Sequence, residues 1–184
     1  MEVPNFYFSL NEDLVSLCEK NKDVNITPES FLPSRINDSD TGYDLRCANY
    51  PGVTLYPGRY FKIPLGFRMF TPDGWWLEVR PRSGTFVKHN IQSLYGVIDS
   101  QFENELVFAG KYDPDGCKLT NDSTPKIIAF GERIAQAIPV KKQNMTRTIC
   151  SAEEYKKLCE KRNGSRGESG FGGDDFERRR KTRL

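Results

Sequence analysis

Between Val53 and Gly84 the chain reads "VTLYPGRYFKIPLGFRMFTPDGWWLEVRPRSG", and no other stretch constrains the fold as strongly. β-Branched and aromatic residues alternate there with Pro-Gly and Asp-Gly pairs, at intervals that suit strands joined by tight turns. Further strands are expected at 96–99, 106–108, 127–130 and 133–140. Many short strands with very little helix between them predict an all-β sandwich or barrel.

Helix signals are confined to the two ends. Ser9-Leu10-Asn11-Glu12 has the form of a capping box followed by Leu14, Leu17 and Cys18 on one face, which predicts a helix over 10–21. Ser151-Ala152-Glu153-Glu154 is a second such box, with Tyr155, Leu158 and Cys159 at helical spacing and Asn163-Gly164 as a stop. The polar, turn-rich run "KYDPDGCKLTNDSTP", residues 111–125, reads as a loop inserted between two strands.

A chain of 184 residues with 37% hydrophobic residues suits a single domain with its own core. Its five cysteines are odd in number and show no C-x-x-C spacing, so neither a disulfide framework nor a zinc site is indicated. A reducing compartment follows. No apolar run approaches the roughly 18–20 residues that cross a bilayer, and "MEVPNFYFSLNED" lacks the basic-then-apolar order of a signal peptide. The expected location is cytoplasmic, or nuclear in a eukaryotic or viral setting, and not secreted or membrane-bound. Net charge is only +2, yet the final "ERRRKTRL" is strongly basic. Such a run is a solvated tail or a non-specific nucleic-acid contact, and it supplies no specific site.

Four segments carry more reactive groups than a strand or turn requires. "DTGYDL" places Asp44 just after Gly42 at the mouth of a turn, and "RPRSGT" places Arg82 and Ser83 beside Gly84 at a strand end. Arginine, hydroxyl and free backbone N–H together form a phosphate-binding set. "LYGVIDSQFENEL" runs the apolar strand Gly96-Val97-Ile98 directly into Asp99, a carboxylate that is costly at a buried strand end unless it has a partner or a task. "GERIAQAIPV" leaves Arg133 and Gln136 in an otherwise apolar strand. Taken singly each has an ordinary reading. Asp44 could cap its turn, Arg82 could pair with a surface carboxylate, Asp99 could satisfy strand-end N–H groups, and Gln136 could face outward. "RGESGFGG", residues 166–173, has too little apolar surface for a core, and reads either as a frayed tail or as an arm that closes over an anionic, planar ligand.

In this order, "DTGYDL", "PRSG", "GVIDSQFENE", "GERIAQ" and "RGESGFGG" resemble the five motifs of the trimeric dUTPases, supported by "LPSR" and "YPGRYFKIPLGF". The resemblance covers about residues 32–173. It implies a distorted β jelly roll assembled as a homotrimer that hydrolyses dUTP to dUMP and pyrophosphate with Mg²⁺, keeping uracil out of DNA and supplying dUMP for dTMP synthesis. On this resemblance Asp99 is the general base. Arg82, Ser83, Gly84 and Gln136 hold the phosphate chain, and Asp44 reaches Mg²⁺ through water. Val97, Ile98 and Val107 present backbone groups to uracil, and the Phe102 ring lies against the deoxyribose, where it leaves no room for a 2′-hydroxyl. Arg166, Phe171 and Gly172 belong to a lid over the γ-phosphate and uracil. The implied organisation is an N-terminal segment at 1–31, a β domain at 32–163, a lid at 164–174 and a basic tail at 175–184.

Four places depart from the family pattern. Gln101 stands where an acidic residue is common, Phe102 where Tyr is, and Asn104 where Gly is; Gly173-Asp174-Asp175 replaces the small hydroxyl residues that often follow Phe-Gly. Two other readings use the same fold. One is a dCTP deaminase, for which Glu105 is the nearby proton shuttle. The other is a regulator that binds a protein partner through the insertion or the tail.

Overall fold

The computed structural model of the chain describes residues 3–20, 26–114 and 124–161. It comprises two units, residues 1–143 and residues 144–184.

Among its described residues the first unit has eleven short strands: β1 (Tyr7–Leu10), β2 (Tyr43–Arg46), β3 (Gly52–Leu55), β4 (Tyr60–Pro64), β5 (Phe67–Phe70), β6 (Trp75–Pro81), β7 (Ile91–Ser93), β8 (Gly96–Ile98), β9 (Val107–Tyr112), β10 (Lys126–Ala129) and β11 (Arg133–Lys141). All pairings are antiparallel. The largest sheet has the order β2-β11-β6-β8; a second runs β4-β9-β7, and β1-β5 and β3-β10 form two-stranded ribbons. This is the all-β architecture expected from the strand and turn pattern, and it agrees with the jelly roll that the family resemblance implies.

The Pro-Gly and Asp-Gly signals fall where the chain turns. Arg59 N–H donates to Tyr56 O at 3.1 Å around Gly58, whose φ is +71°, and Trp75 N–H donates to Pro72 O at 3.2 Å around Gly74, whose φ is +78°. A side chain with a Cβ tolerates that left-handed conformation poorly, so glycine sits at both corners. Alternate strand residues point inward: β5 buries Phe67 and Met69 and exposes Arg68 and Phe70. Leu45, Leu55, Ile63, Leu65, Phe67, Ile91, Leu106, Phe108, Ile128 and Ile134 make one continuous core.

Three expectations are corrected. The first helix, α1, spans Glu12–Lys20, and Ser9 is not its cap. Ser9 is in β1, opposite Arg68 of β5, and the capping oxygen is Asn11 Oδ1, which accepts from Asp13 N–H at 2.9 Å and Leu14 N–H at 3.4 Å. Strand pairing outcompetes the earlier capping signal. A helix that the turn-like residues did not announce, α2 (Ser83–His89), follows β6 directly. Thr85 Oγ1 donates to Ile134 O at 2.5 Å, which ties α2 to β11, and Asn90 ends it in the left-handed region at φ +51°. The expected inserted loop starts later than residue 111, because β9 continues to Tyr112; residues 115–123 lie outside the described residues.

In the second unit, α3 spans Ala152–Glu160 with its capping box in place: Ser151 Oγ accepts from Glu154 N–H at 3.2 Å, and Ser151 N–H donates to Glu154 Oε2 at 2.7 Å. The expected stop at Asn163-Gly164 lies outside the described residues.

Candidate active site

The sheet register assembles one half of the candidate site. Asp44 of β2 stands opposite Gln136 of β11, and Gln136 stands opposite Arg80 of β6, one residue before the Pro81-Arg82-Ser83 corner. Arg82 leaves β6 with extended backbone and its guanidinium reaches back across the sheet. Its Nε donates to Asp44 Oδ1 at 2.8 Å, while Arg133 Nη1 donates to Asp44 Oδ2 at 3.1 Å. Arg82 Nη1 also reaches Arg133 O at 3.4 Å, and Gln136 Nε2 donates to Pro81 O at 3.1 Å. The ordinary reading of Arg82, a pairing with a carboxylate, is therefore partly right: the partner is Asp44, itself a predicted site residue, in a half-buried network.

Arg46, two residues after Asp44 on the same face of β2, adds a third guanidinium. Its Nη1 donates to Gly131 O at 2.8 Å while its Nε is buried without a partner. Burial lowers the Arg46 pKa, neighbouring Arg133 adds to the effect, and Asp44 opposes it. Three arginines around one carboxylate leave an excess of positive charge. Such a set is satisfied by an oxyanion that takes two forks at once. Ser83 and Gly84 open α2 beside it, where first-turn N–H groups have no intrahelical acceptor. The space over Gly84 is open, since an added Cβ would find Lys88 Cδ only at 4.0 Å. The sequence singled out Asp44, Arg82, Ser83, Gly84, Arg133 and Gln136, without a role for Arg133. Arg46 was missed, although the Asp-x-Arg spacing on a strand signals a shared face.

The second half is the turn after β8. Phe102 N–H donates to Asp99 O at 3.0 Å, closing a turn that leads towards β9. The expectation of a buried strand ending in a costly carboxylate is not met. Val97 is 63% exposed, Val107 40% and Phe102 38%, and Asp99 is exposed. The reason is topological: among the described residues β8 is the last strand of its sheet and pairs with β6 only, which leaves its other edge open. Along that edge alternate residues of Gly96–Ile98 turn their backbone donors and acceptors outward. Phe102 borders a groove that also includes Tyr7, Phe8, Arg68 and Phe70.

The two halves are not adjacent in one chain. Ile98 pairs with Leu77, which puts Asp99 at the level of Trp76. Arg82 lies six residues further along the same strand direction, roughly 20 Å away at ~3.3 Å per residue. Arg166, Phe171 and Gly172 lie outside the described residues.

Glu105 does not stand free for chemistry. Its Oε2 accepts from Asn11 Nδ2 at 2.8 Å and its Oε1 from Gly66 N–H at 3.0 Å, fastening the head of α1 to the turn between β4 and β5. Among the described residues, no three of His, Cys, Asp and Glu converge to hold a metal ion. Both oxygens of Asp44 already accept from guanidinium groups, which leaves fewer of its lone pairs for a cation. No described helix is long and apolar enough to cross a membrane.

The architecture and the site together define an all-β protein with a guanidinium-lined anion cradle at one end of a sheet and an open strand edge at the other. Comparison with known proteins makes the class specific. The family model for dUTPase matches residues 29–172. The chain is 33% identical over 147 residues to the deoxyuridine 5'-triphosphate nucleotidohydrolase of Rickettsia massiliae, covering 77% of this chain and 86% of the relative. It is 28% identical over 142 residues to that of Gloeobacter violaceus, covering 76% and 89%. A mutant dUTPase from phage phi11 of Staphylococcus aureus, described with a structural Mg(II) ion, superposes with a TM-score of 0.61 at 18% identity over 81% of this chain and 99% of that one. The chain belongs to the dUTPase family.

Proposed function

We propose that the protein hydrolyses dUTP to dUMP and pyrophosphate, with each active site completed between copies of the chain. The observation that carries this reading is the arginine cluster around Asp44, which is aimed by internal ion pairs and holds more positive charge than its carboxylate balances. A triphosphate chain supplies the missing negative charge.

Arg82, the Ser83 hydroxyl and the Ser83 and Gly84 N–H groups bind phosphate oxygens, and the second N–H of the Gln136 carboxamide supports them. Val97 and Ile98 of β8, together with Val107 of β9, offer backbone groups to uracil's O2, N3–H and O4. Cytosine presents an acceptor at N3 and a donor at N4, so it mismatches the same edge. Phe102 lies under the sugar. Asp99, exposed to solvent, orients a water for in-line attack on the α-phosphorus and takes its proton as the new P–O bond forms. The bond from the α-phosphorus to the bridging oxygen breaks, and pyrophosphate leaves into the arginine cradle. Mg²⁺ bound to the phosphate oxygens would offset charge on the leaving group, with Asp44 meeting it only through water. Arg166, Phe171 and Gly172 are assigned to the γ-phosphate and the uracil face on their resemblance alone.

With roughly 20 Å between Arg82 and Asp99 along one strand, a single chain cannot hold both the phosphates and the attacking water of one substrate. The homotrimer typical of the family supplies the neighbour. The deaminase reading loses its proton shuttle, because both Glu105 oxygens are engaged in holding α1.

The test is a pyrophosphate-release assay with dUTP, dCTP, dTTP and UTP, run beside an ammonia assay and light scattering. Release from dUTP alone, at trimer mass, is expected. Ammonia from dCTP, or turnover by a monomer, would overturn the proposal.

A further inference from the structure

Gly42 lies on β2's approach to Asp44 and directly under the Gln136 side chain. A Cβ built on Gly42 would overlap Gln136 Oε1, and would stand 3.0 Å from its Cδ and 3.2 Å from its Cβ. Gly42 is not among the glycines with left-handed backbone, so conformational freedom does not explain it. Space does. The carboxamide oxygen occupies the place a side chain at 42 would take, and from that seat Gln136 Nε2 reaches Pro81 O at 3.1 Å. Pro81 immediately precedes Arg82 and Ser83, so the hydrogen bond ties β11 to the corner that carries the phosphate-binding groups.

We infer that Gly42 is a positioning residue for substrate binding: its missing side chain seats the Gln136 carboxamide so that one N–H holds Pro81 and the other is left for a phosphate oxygen. A primary amide has two donors, and here one has a fixed acceptor. The atom in outright collision is the far end of a flexible side chain, while Gln136 Cβ, at 3.2 Å, need give by only a few tenths of an ångström. An added methyl at position 42 is therefore absorbed by turning the carboxamide away, at small expense to the fold and large expense to its aim. The inference rests on the proposed role of Gln136 in supporting the phosphate chain.

The experiment is a double-mutant cycle on the full-length chain with Gly42→Ala, Gln136→Ala and both together. It reads kcat and KM for dUTP, affinity for a non-hydrolysable dUTP analogue, and the thermal unfolding midpoint. Gln136→Ala should lower kcat/KM about 10- to 100-fold, the range for one hydrogen bond to a charged group. Gly42→Ala should lower it by a similar factor, weaken the analogue correspondingly, and leave the unfolding midpoint near the parent's. The double variant should be no worse than the poorer single one, since both remove the same contact. Full activity in Gly42→Ala, or losses that multiply in the double variant, would overturn the inference while leaving Gln136 in place. Full activity in Gln136→Ala would instead overturn its assignment to the phosphate chain, and the inference with it. If Gly42→Ala alone does not fold, recovery of the fold on adding Gln136→Ala identifies the carboxamide as the group displaced. Failure of the double variant to fold overturns the inference.

Discussion

The two ends of β6 differ in how much of their structure is complete within one chain. At the Pro81 end, Asp44, Arg82, Arg133 and Gln136 hold one another through two ion pairs and hydrogen bonds to Pro81 O and Arg133 O, so the cradle is aimed before any ligand arrives. At the Trp75 end, Asp99 and Val97 face solvent from an edge strand. The first end pre-arranges charge, which costs little when an anion binds and supports rate through preorganised electrostatics. The second offers groups whose partners must come from outside. Substitutions at the two ends should therefore differ in kind: loss of an ion-pair member of the cradle changes stability and affinity together, whereas loss of the Asp99 carboxylate changes turnover alone.

The largest effect is expected at the exposed end. Asp99→Asn should lower kcat by about 10²–10⁴-fold, the usual worth of a positioned base. Its unfolding midpoint and its affinity for a dUTP analogue should stay near those of the parent. Near-normal turnover would remove Asp99 from the chemistry and erase the contrast between the two ends.

Arg82→Ala should come next, lowering kcat/KM about 10- to 100-fold through the loss of a charge-assisted fork. Unlike Asp99→Asn, it should also lower the unfolding midpoint, because Asp44 Oδ1 loses its partner at 2.8 Å. Unchanged stability with lost activity would show that the cradle is assembled by the ligand and not beforehand.

Much of the fold was legible because its signals are local. Gly58 and Gly74 mark their turns within four residues of sequence, and Ser151 and Glu154 cap α3 within one turn. What escaped was decided at long range. Ser9 and Asn11 both offer a helix cap, and the choice is made by pairing with Arg68 on a distant strand. The apolar run Gly96-Val97-Ile98 resembles a buried strand, and only the sheet order reveals a free edge. In the site, the residue types were visible but the pairing was not. Asp44, Arg82 and Arg133 are far apart in sequence, and only the β2-β11-β6 register joins them. Glu105 shows the converse, since its place in a motif suggested chemistry and its two hydrogen bonds give it a structural task.

That task sets the third prediction. Glu105→Ala should cost about 1–3 kcal/mol of stability, the range for leaving buried hydrogen-bonding groups without their partner, measured by urea unfolding. The preference for dUTP over dCTP should persist. A variant of normal stability that had lost activity would move Glu105 back into the reaction.

The smallest expected effect lies at neither end of β6 and serves as a control on both. His89, at the end of α2, sets Nε2 3.1 Å from Glu132 Oε1, while its Nδ1 is buried without a partner. Burial, then the positive charge of Lys126, holds its pKa below the ordinary 6.5, with Lys88 adding to that and Glu132 opposing it. A folded state that disfavours the imidazolium loses stability once the unfolded chain can take up the proton. The neutral ring's contribution is thus fully present above about pH 6.5 and falls away as pH drops through the lower folded-state value. His89→Gln keeps a donor for Glu132 and cannot titrate. Urea unfolding of both chains at pH 7.5 and 5.5 should show the parent losing more stability than the variant, by about 1 kcal/mol or less. Equal losses would mean that protonation of His89 is not resisted by the fold. A larger loss in the variant would reverse the sign and place a protonated His89 in an attractive pair with Glu132.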